Sequence, residues 1–306
     1  EGKVQKVVGW KKGLFEDDIS PAVFTSAEEL DKDFVFNKYC KANLSKYLVK
    51  ITREIEVAKS TTRMNNTMAK QRDPNAQDKP IPQATVLVFL KPSDTYSFTQ
   101  LLKENRITRD DVYAIGVPCQ DTLDGGEVCD NCKNKKPVSC DELIGVEAEV
   151  EAVESKRMAE VEKLEHMTAD ERDAFWKNEF SRCLRCNACR DICPACTCEK
   201  CVFDNNKLYT SQKVAETNFE ESLFHIIRAW HVAGRCTDCG ECSRVCPQHI
   251  PLYLLNRKFI KDINEIYGDY QAGSDMETKP AMLTFNAEGD PETTIVYDRS
   301  HDKEEV

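Results

Sequence analysis

The stretch "RCLRCNACRDICPACTCEKC", Arg182–Cys201, puts seven cysteines into twenty residues, and "RCTDCGECSRVCPQ", Arg235–Gln248, restates its first part 53 residues further on. No apolar core needs thiols at that density. Each array reads C-x2-C-x2-C-x3-C-P, through Cys183, Cys186, Cys189, Cys193 and Pro194 in the first and Cys236, Cys239, Cys242, Cys246 and Pro247 in the second. Three cysteines at two-residue gaps let one tight loop turn three thiolates onto one face of an iron–sulfur cube. The fourth lies just past that loop's reach, turned away by the proline, and in two-cluster ferredoxins it serves the other cluster. The spacing therefore predicts one 4Fe–4S cluster on Cys183, Cys186, Cys189 and Cys246, and a second on Cys236, Cys239, Cys242 and Cys193. Structural zinc is the alternative. Zinc sites commonly use two C-x2-C pairs held apart by a longer segment, because four ligands in one short run strain a tetrahedron. The doubled motif with both prolines favours iron–sulfur.

Between the arrays, Phe219, Leu223, Ile227 and Trp230 recur at helical intervals, and Gly234 stands where a C′ glycine closes a helix. Residues 181–268 thus read as a mainly α-helical ferredoxin domain with two cluster motifs. Residues 146–180 read as an acidic helical bridge, with Val146, Val150, Val153, Val161 and Leu164 along one side. "TADE" at Thr168–Glu171 has the form of a capping box. Residues 269–306 form an acidic, irregular tail, expected to drape over a neighbouring surface or to be partly disordered.

Residues 1–145 read as an α/β domain with a partly parallel sheet. "KVQKVVGW" has the look of a short strand, and Leu44, Tyr47 and Leu48 carry helical spacing. Thr61–Pro82 is polar and holds Pro74, Pro80 and Pro82, which predicts an exposed loop. "ATVLVFL", "TYSFTQLLKEN" and "DVYAIGV" follow as strand, helix and strand, one βαβ unit.

The 306 residues suffice for two ordinary domains. A formal charge of −11 disfavours a nucleic-acid or anionic-membrane partner and suits a solvated acidic surface. The longest apolar run, Ala84–Leu90, is far short of a membrane span, so an integral membrane protein is not expected. The opening residues do not read as a secretion signal, and with Glu1 first the sequence can begin inside a longer one. Sixteen cysteines, mostly two or three residues apart, suit metal better than disulfide pairing across long loops, and imply a reducing, cytoplasmic compartment.

A second group comprises Cys119, directly after a predicted strand, then Cys129 and Cys132 in "CDNC", then Cys140. Ligands collect at the C-terminal edge of a parallel sheet, so a third 4Fe–4S cluster is expected here, with zinc as a rival because the spacing is irregular. Cys196, Cys198 and Cys201 follow the first array. With Cys40 as a distant fourth ligand they could complete another metal centre, or remain buried thiols or a small zinc site. Arg182, Arg185, Arg190, Arg235 and Arg244 sit among the ligands, where their charge would raise a cluster's potential, unless they point out into the acidic surface. His225 and His231 are expected to be satisfied helix residues and His249 to hydrogen-bond near the second array. No nucleophilic triad and no phosphate loop is present, so no catalytic residue is assigned.

"VVGWKKG", "DVYAIGVPCQ" and the run from "ERDAFWKNEFSRCLRC" through "FHIIRAWHVAGRCTDCGECSRVCPQHIPL" together resemble the beta subunit of deazaflavin-linked hydrogenases and formate dehydrogenases, in the branch with a dicluster ferredoxin module. The paired motifs also look like the all-helical ferredoxin domain of heterodisulfide reductase and succinate dehydrogenase subunits. The resemblance implies electron transfer in anaerobic complexes, with catalytic and electron-carrier subunits of formate dehydrogenase, hydrogenase or heterodisulfide reductase type as partners. It carries the ligand role onto the eight repeat cysteines, and onto Cys119, Cys129, Cys132 and Cys140 for a proximal cluster. Many relatives also bind a flavin and reduce the deazaflavin coenzyme. This chain lacks the length of a complete flavin domain and reads "KPSD" at Lys91–Asp94, where such relatives often have a cysteine, which disfavours FAD. The leading expectation is a non-catalytic electron-transfer subunit. A flavoprotein that reduces a deazaflavin or nicotinamide, and a zinc-bound assembly scaffold, are the alternatives.

Overall fold

Along Val86–Leu90 the side chains alternate between fully and partly buried, as they must in a strand covered on both faces. This segment is β3, the middle strand of a five-stranded sheet ordered β2-β1-β3-β4-β5. The computed structural model describes residues 4–118, 136–145, 156–204 and 217–280. β1 (Lys6–Lys12) pairs antiparallel with β2 (Ile19–Phe24) and parallel with β3. β4 (Val112–Gly116) runs parallel to β3, and the two-residue β5 (Glu142–Leu143) parallel to β4. The connection from β3 to β4 is α3 (Pro92–Lys103), whose proline in the first turn has no N–H to leave orphaned. The expected βαβ unit is therefore present, inside a sheet that is parallel except at one edge.

α1 (Ala27–Asp33) starts at Ser26, whose hydroxyl accepts from the Glu29 N–H. α2 (Ser45–Arg72) is 28 residues long and corrects the expectation of a loop from Thr61: the chain is helical as far as Arg72. Its second half buries no apolar side chain, but good helix formers (Arg63, Met64, Met68 to Arg72) alternate with Ser, Thr and Asn and no proline comes before Pro74, so the helix runs on from its packed first half. The proline-bearing segment does begin after it. Asn66 fastens that segment back along the helix through two 2.9 Å bonds with the Lys79 backbone. Val8, Trp10, Leu44, Leu48, Val88, Leu90, Phe98 and Ala114 form the core between sheet and helices.

"KPSD" has a structural task. Lys91 is 3 % exposed and donates to the carbonyls of Cys40, Lys41 and Ala42 at 2.8, 2.6 and 3.2 Å, which closes the turn before α2. Asp94 is wholly buried, accepting from Leu44 N at 3.4 Å and from the Ser93 hydroxyl at 3.1 Å. Burial pushes its carboxyl up to about 6 from an ordinary 3.8, with Glu241 adding to the rise. The protonated form favours the fold, so this stability is complete below the ordinary value and is lost as pH rises through about 6. Asp94→Asn is accordingly expected to stabilise the protein by about 2–3 kcal/mol above pH 6.5, and by roughly half that at pH 5. Urea midpoints measured across that range check it, and a pH-independent difference contradicts it.

The second layer is helical. α4 (Ala159–His166) and α5 (Ala169–Ser181) pack with α7 (Asn218–His231) and α9 (Leu252–Tyr267). Val161, Leu164 and Phe180 share a core with Ile250, Leu252, Tyr253 and Leu254, and with Cys189 and Cys242 of the two arrays. The capping box at Thr168 and Glu171 is formed, and Thr217 and Glu220 make a second one at the start of α7. Val146, Val150 and Val153 lie outside the described residues. Beyond α9 the first residues of the tail pack back, with Tyr270 and Ala272 buried. The two layers meet where Ser97 bonds Thr237 at 2.8 Å, Arg235 bonds Glu104 at 2.7 Å, and Arg53 pairs with Glu199 at 2.8 Å.

Candidate metal centre

The sequence repeat is also a conformational repeat. In the first array Arg185 and Asn187 are left-handed, at φ of 50° and 62°; in the second, the equivalent Asp238 and Gly240 are, at 59° and 73°. Each is followed by a single helical turn, α6 (Ala188–Asp191) and α8 (Glu241–Arg244), at the same offset. Alternating left- and right-handed residues curl successive N–H groups inward into an anion-binding nest. Left-handed backbone is costly for arginine and aspartate, and in both arrays a buried ion pair holds it. Arg185 forks onto Glu221 with contacts of 3.0, 3.3 and 3.0 Å. Asp238 receives Arg257 at 3.0 Å on both oxygens and Arg157 at 2.6 Å. All of these side chains are buried.

Two cavities lie against the arrays. One is lined by Cys183, Cys186, Cys189 and Cys246, with His225 and Ile250. The other is lined by Cys193, Cys236 and Cys239, with Leu101, Pro194 and Thr237. The last cysteine of each array thus faces the cavity of the other. Burial pushes the thiols of Cys183 and Cys189 up to about 12 and 11, and those of Cys236, Cys239 and Cys242 upward as well. Ionising such a set requires compensating positive charge, which metal supplies. Two sulfurs already receive donors, Cys183 Sγ from Arg185 N at 3.4 Å and Cys242 Sγ from Asn256 Nδ2 at 3.5 Å, and His225 Nε2 lies 3.3 Å from Cys183 Sγ.

A further sign of an anionic guest is an orphaned cation. Arg228, on α7, is 2 % exposed, and Nε, Nη1 and Nη2 all lack a hydrogen-bond partner. Burial works to lower its pKa, and the cysteines Cys189, Cys242, Cys193 and Cys196 around it act in the opposite direction and hold it above the ordinary value. A bare buried guanidinium beside neutral thiols is expensive, whereas beside metal-bound thiolates it is compensated. Residues 179–250 match the 4Fe-4S dicluster domain. Both nests, Arg228 and the cysteines that line the two cavities fall within that span.

Parts of the chain are similar to known proteins. The β subunit of an F420-dependent formate dehydrogenase from Methanocaldococcus jannaschii is 34 % identical over 114 residues, 37 % of this chain and 28 % of that protein. A counterpart in Methanococcus maripaludis, the F420-dependent formate dehydrogenase 1 subunit beta, is 31 % identical over 107 residues, covering 35 % of this chain and 26 % of its own length. A putative oxidoreductase of Escherichia coli, YgfK, is 31 % identical over 85 residues, which are 26 % of this chain and 7 % of it. The chain thus spans only about a quarter of the length of the formate dehydrogenase subunits it matches. Among the described residues no helix is long and apolar enough to cross a membrane.

The remaining candidates are placed as follows. Cys119, Cys129 and Cys132 lie outside the described residues. Cys140 is half-buried at the C-terminal end of β4, so close to Gly116 that a Cβ there would come within 3.0 Å of its sulfur. The Cys196 thiol hydrogen-bonds with Cys193 and the Cys196 carbonyl accepts from Lys46, while Cys198 is exposed and Cys201 half-buried. Cys40 is fully buried in the α/β core, its thiol donating to the Val35 carbonyl at 3.6 Å. Among the described residues the one trio compact enough for a single ion is Cys183, Glu221 and His225, within 4.8 Å of one another. Glu221 is already committed to Arg185, so these residues read as a shell around Cys183. Of the arginines read from sequence, Arg182, Arg190, Arg235 and Arg244 are each engaged by a carboxylate, on Glu179, Asp204, Glu104 and Glu241.

The helix expected from the spacing of Phe219, Leu223, Ile227 and Trp230 is present as α7, but this stripe is not its inward side: Phe219 and Trp230 are 73 % and 65 % exposed, and Leu223 is exposed too. The inward side is Glu221, Phe224, His225, Arg228, Ala229 and Val232. Three of those six are polar because the helix faces sulfur and ion pairs rather than hydrocarbon. Gly234, at φ 70°, turns the chain just past the helix end.

Proposed function

We propose that this chain is an iron–sulfur electron-transfer subunit of an oxidoreductase complex, relaying single electrons between partner subunits. The observation that carries the reading is the exchange of cysteines between the two cavities. It favours one 4Fe–4S cluster on Cys183, Cys186, Cys189 and Cys246, and another on Cys193, Cys236, Cys239 and Cys242. Bound clusters supply one-electron chemistry. The chain's own residues hold the thiolates, donate N–H groups to them, and exclude water with Phe180, Phe224, Ile250 and Leu252. A third cluster on Cys119, Cys129, Cys132 and Cys140, at the edge of the sheet, extends the relay. The named relatives favour a formate dehydrogenase setting, in which the chain would pass electrons between other subunits of the complex. FAD on this chain is not part of the proposal.

Protein purified without oxygen is expected to carry about eight irons and as many sulfides for the two arrays, about twelve with the third cluster, on a four-iron cube. It is expected to oxidise neither formate nor hydrogen alone. Zinc without acid-labile sulfide, or turnover by the isolated chain, overturns the reading.

A further inference from the structure

We infer that Arg228 is the shared counter-cation of both clusters and sets their reduction potentials together; this rests on the two-cluster reading above. Five other arginines in this domain and its packing helices each face a carboxylate of their own: Arg182 on Glu179, Arg185 on Glu221, Arg190 on Asp204, Arg235 on Glu104 and Arg244 on Glu241. Arg157 and Arg257 share Asp238, which leaves that trio one net positive charge but gives both guanidiniums a carboxylate in contact. Arg228 differs in kind. All three of its nitrogens are buried and unpartnered, and no carboxylate is among the groups acting on it most strongly.

What faces it instead comes from both arrays. Cys189 belongs to the first triad and Cys242 to the second, while Cys193 is the crossing ligand of the second set. The electrostatic reach of this buried, unpartnered guanidinium therefore covers cysteines of both sites rather than of one. Net charge around a cluster is among the main determinants of its potential. A buried, uncancelled cation stabilises the reduced, more negative state, and so raises the potential. Because one cation serves two sites, its removal should lower both. Arg228 is thus a positioning and tuning residue, acting through the thiolates rather than on any substrate.

The test compares Arg228→Met and Arg228→Lys with the wild type as the full chain, loaded anaerobically, by iron and sulfide content and by EPR-monitored redox titration. For Arg228→Met the reduction equilibrium of each cluster is expected to shift roughly tenfold toward the oxidised form, which is ~59 mV for one electron. Arg228→Lys is expected to stay near the wild-type potentials. Should Arg228→Met fail to load while Arg228→Lys loads with wild-type potentials, the charge is still identified as the required feature. Unchanged potentials in a loaded Arg228→Met protein, a shift in one cluster only, or failure of both variants to load overturns the inference. A wild type that holds zinc instead overturns the two-cluster reading beneath it.

Discussion

Asp238→Asn is expected to destabilise the protein by about 3–5 kcal/mol, the cost of stripping one partner from a buried ion group. The substitution keeps the shape of the side chain and removes its charge. Arg157 and Arg257 are then left facing each other, 4 % and 1 % exposed, across an uncharged amide. The Arg257 guanidinium also donates to the Arg157 carbonyl at 3.1 Å, so it cannot swing out to water without breaking a second contact. Asp238 further holds a left-handed backbone inside the second array, so the loss should reach the metal site as faster iron release. Asp262→Asn, which breaks an exposed pair with Lys258 on α9, is the control and is expected to cost no more than about 1 kcal/mol. Urea midpoints of both variants, measured anaerobically, separate the two cases. Equal losses would show that Asp238 is no more than another charge pair.

The α/β domain was largely legible because ordinary rules govern it. β3 is a continuous apolar run, β4 follows at the distance of one helix, and the sheet buries both faces. The cysteine arrays were legible for a different reason: their spacing is dictated by the geometry of an inorganic guest rather than by packing. The second half of α2 was misread because prolines later in the segment suggested a loop, while no apolar stripe argued for a helix. The spacing of Phe219, Leu223, Ile227 and Trp230 located α7 but did not tell which side of it is buried. Apolar periodicity locates a buried side only when that side meets hydrocarbon, and this helix turns Glu221, His225 and Arg228 inward. A polar stripe at 221, 225 and 228, flanked by two cysteine arrays, was the available signal for its orientation. The stripe was overlooked because Phe219, Leu223 and Trp230 are larger and equally periodic. The same inversion hid the most informative residue of the site, since an arginine on a helix without a carboxylate nearby in sequence looks like surface.

Removing the last cysteine of either array should cost the cluster of the opposite array, and this is the largest effect expected. Cys246→Ala is predicted to lose about four of about eight irons and to leave the EPR signature that Cys186→Ala also leaves. Cys193→Ala should reproduce Cys239→Ala instead. The argument is geometric. Cys246 shares a cavity with Cys183, Cys186 and Cys189, while Cys193 lines the other with Cys236 and Cys239. A proline after each fourth cysteine leads the chain away from its own array, and the single-turn helices α6 and α8 carry each fourth cysteine across. Four matched variants therefore fall into two spectroscopic pairs, and the pairing itself is the measurement. If Cys246→Ala matched Cys239→Ala, each array would be a self-contained four-ligand site. The crossing would then be lost, and with it the share of Arg228's reach onto the second cluster that Cys193 provides.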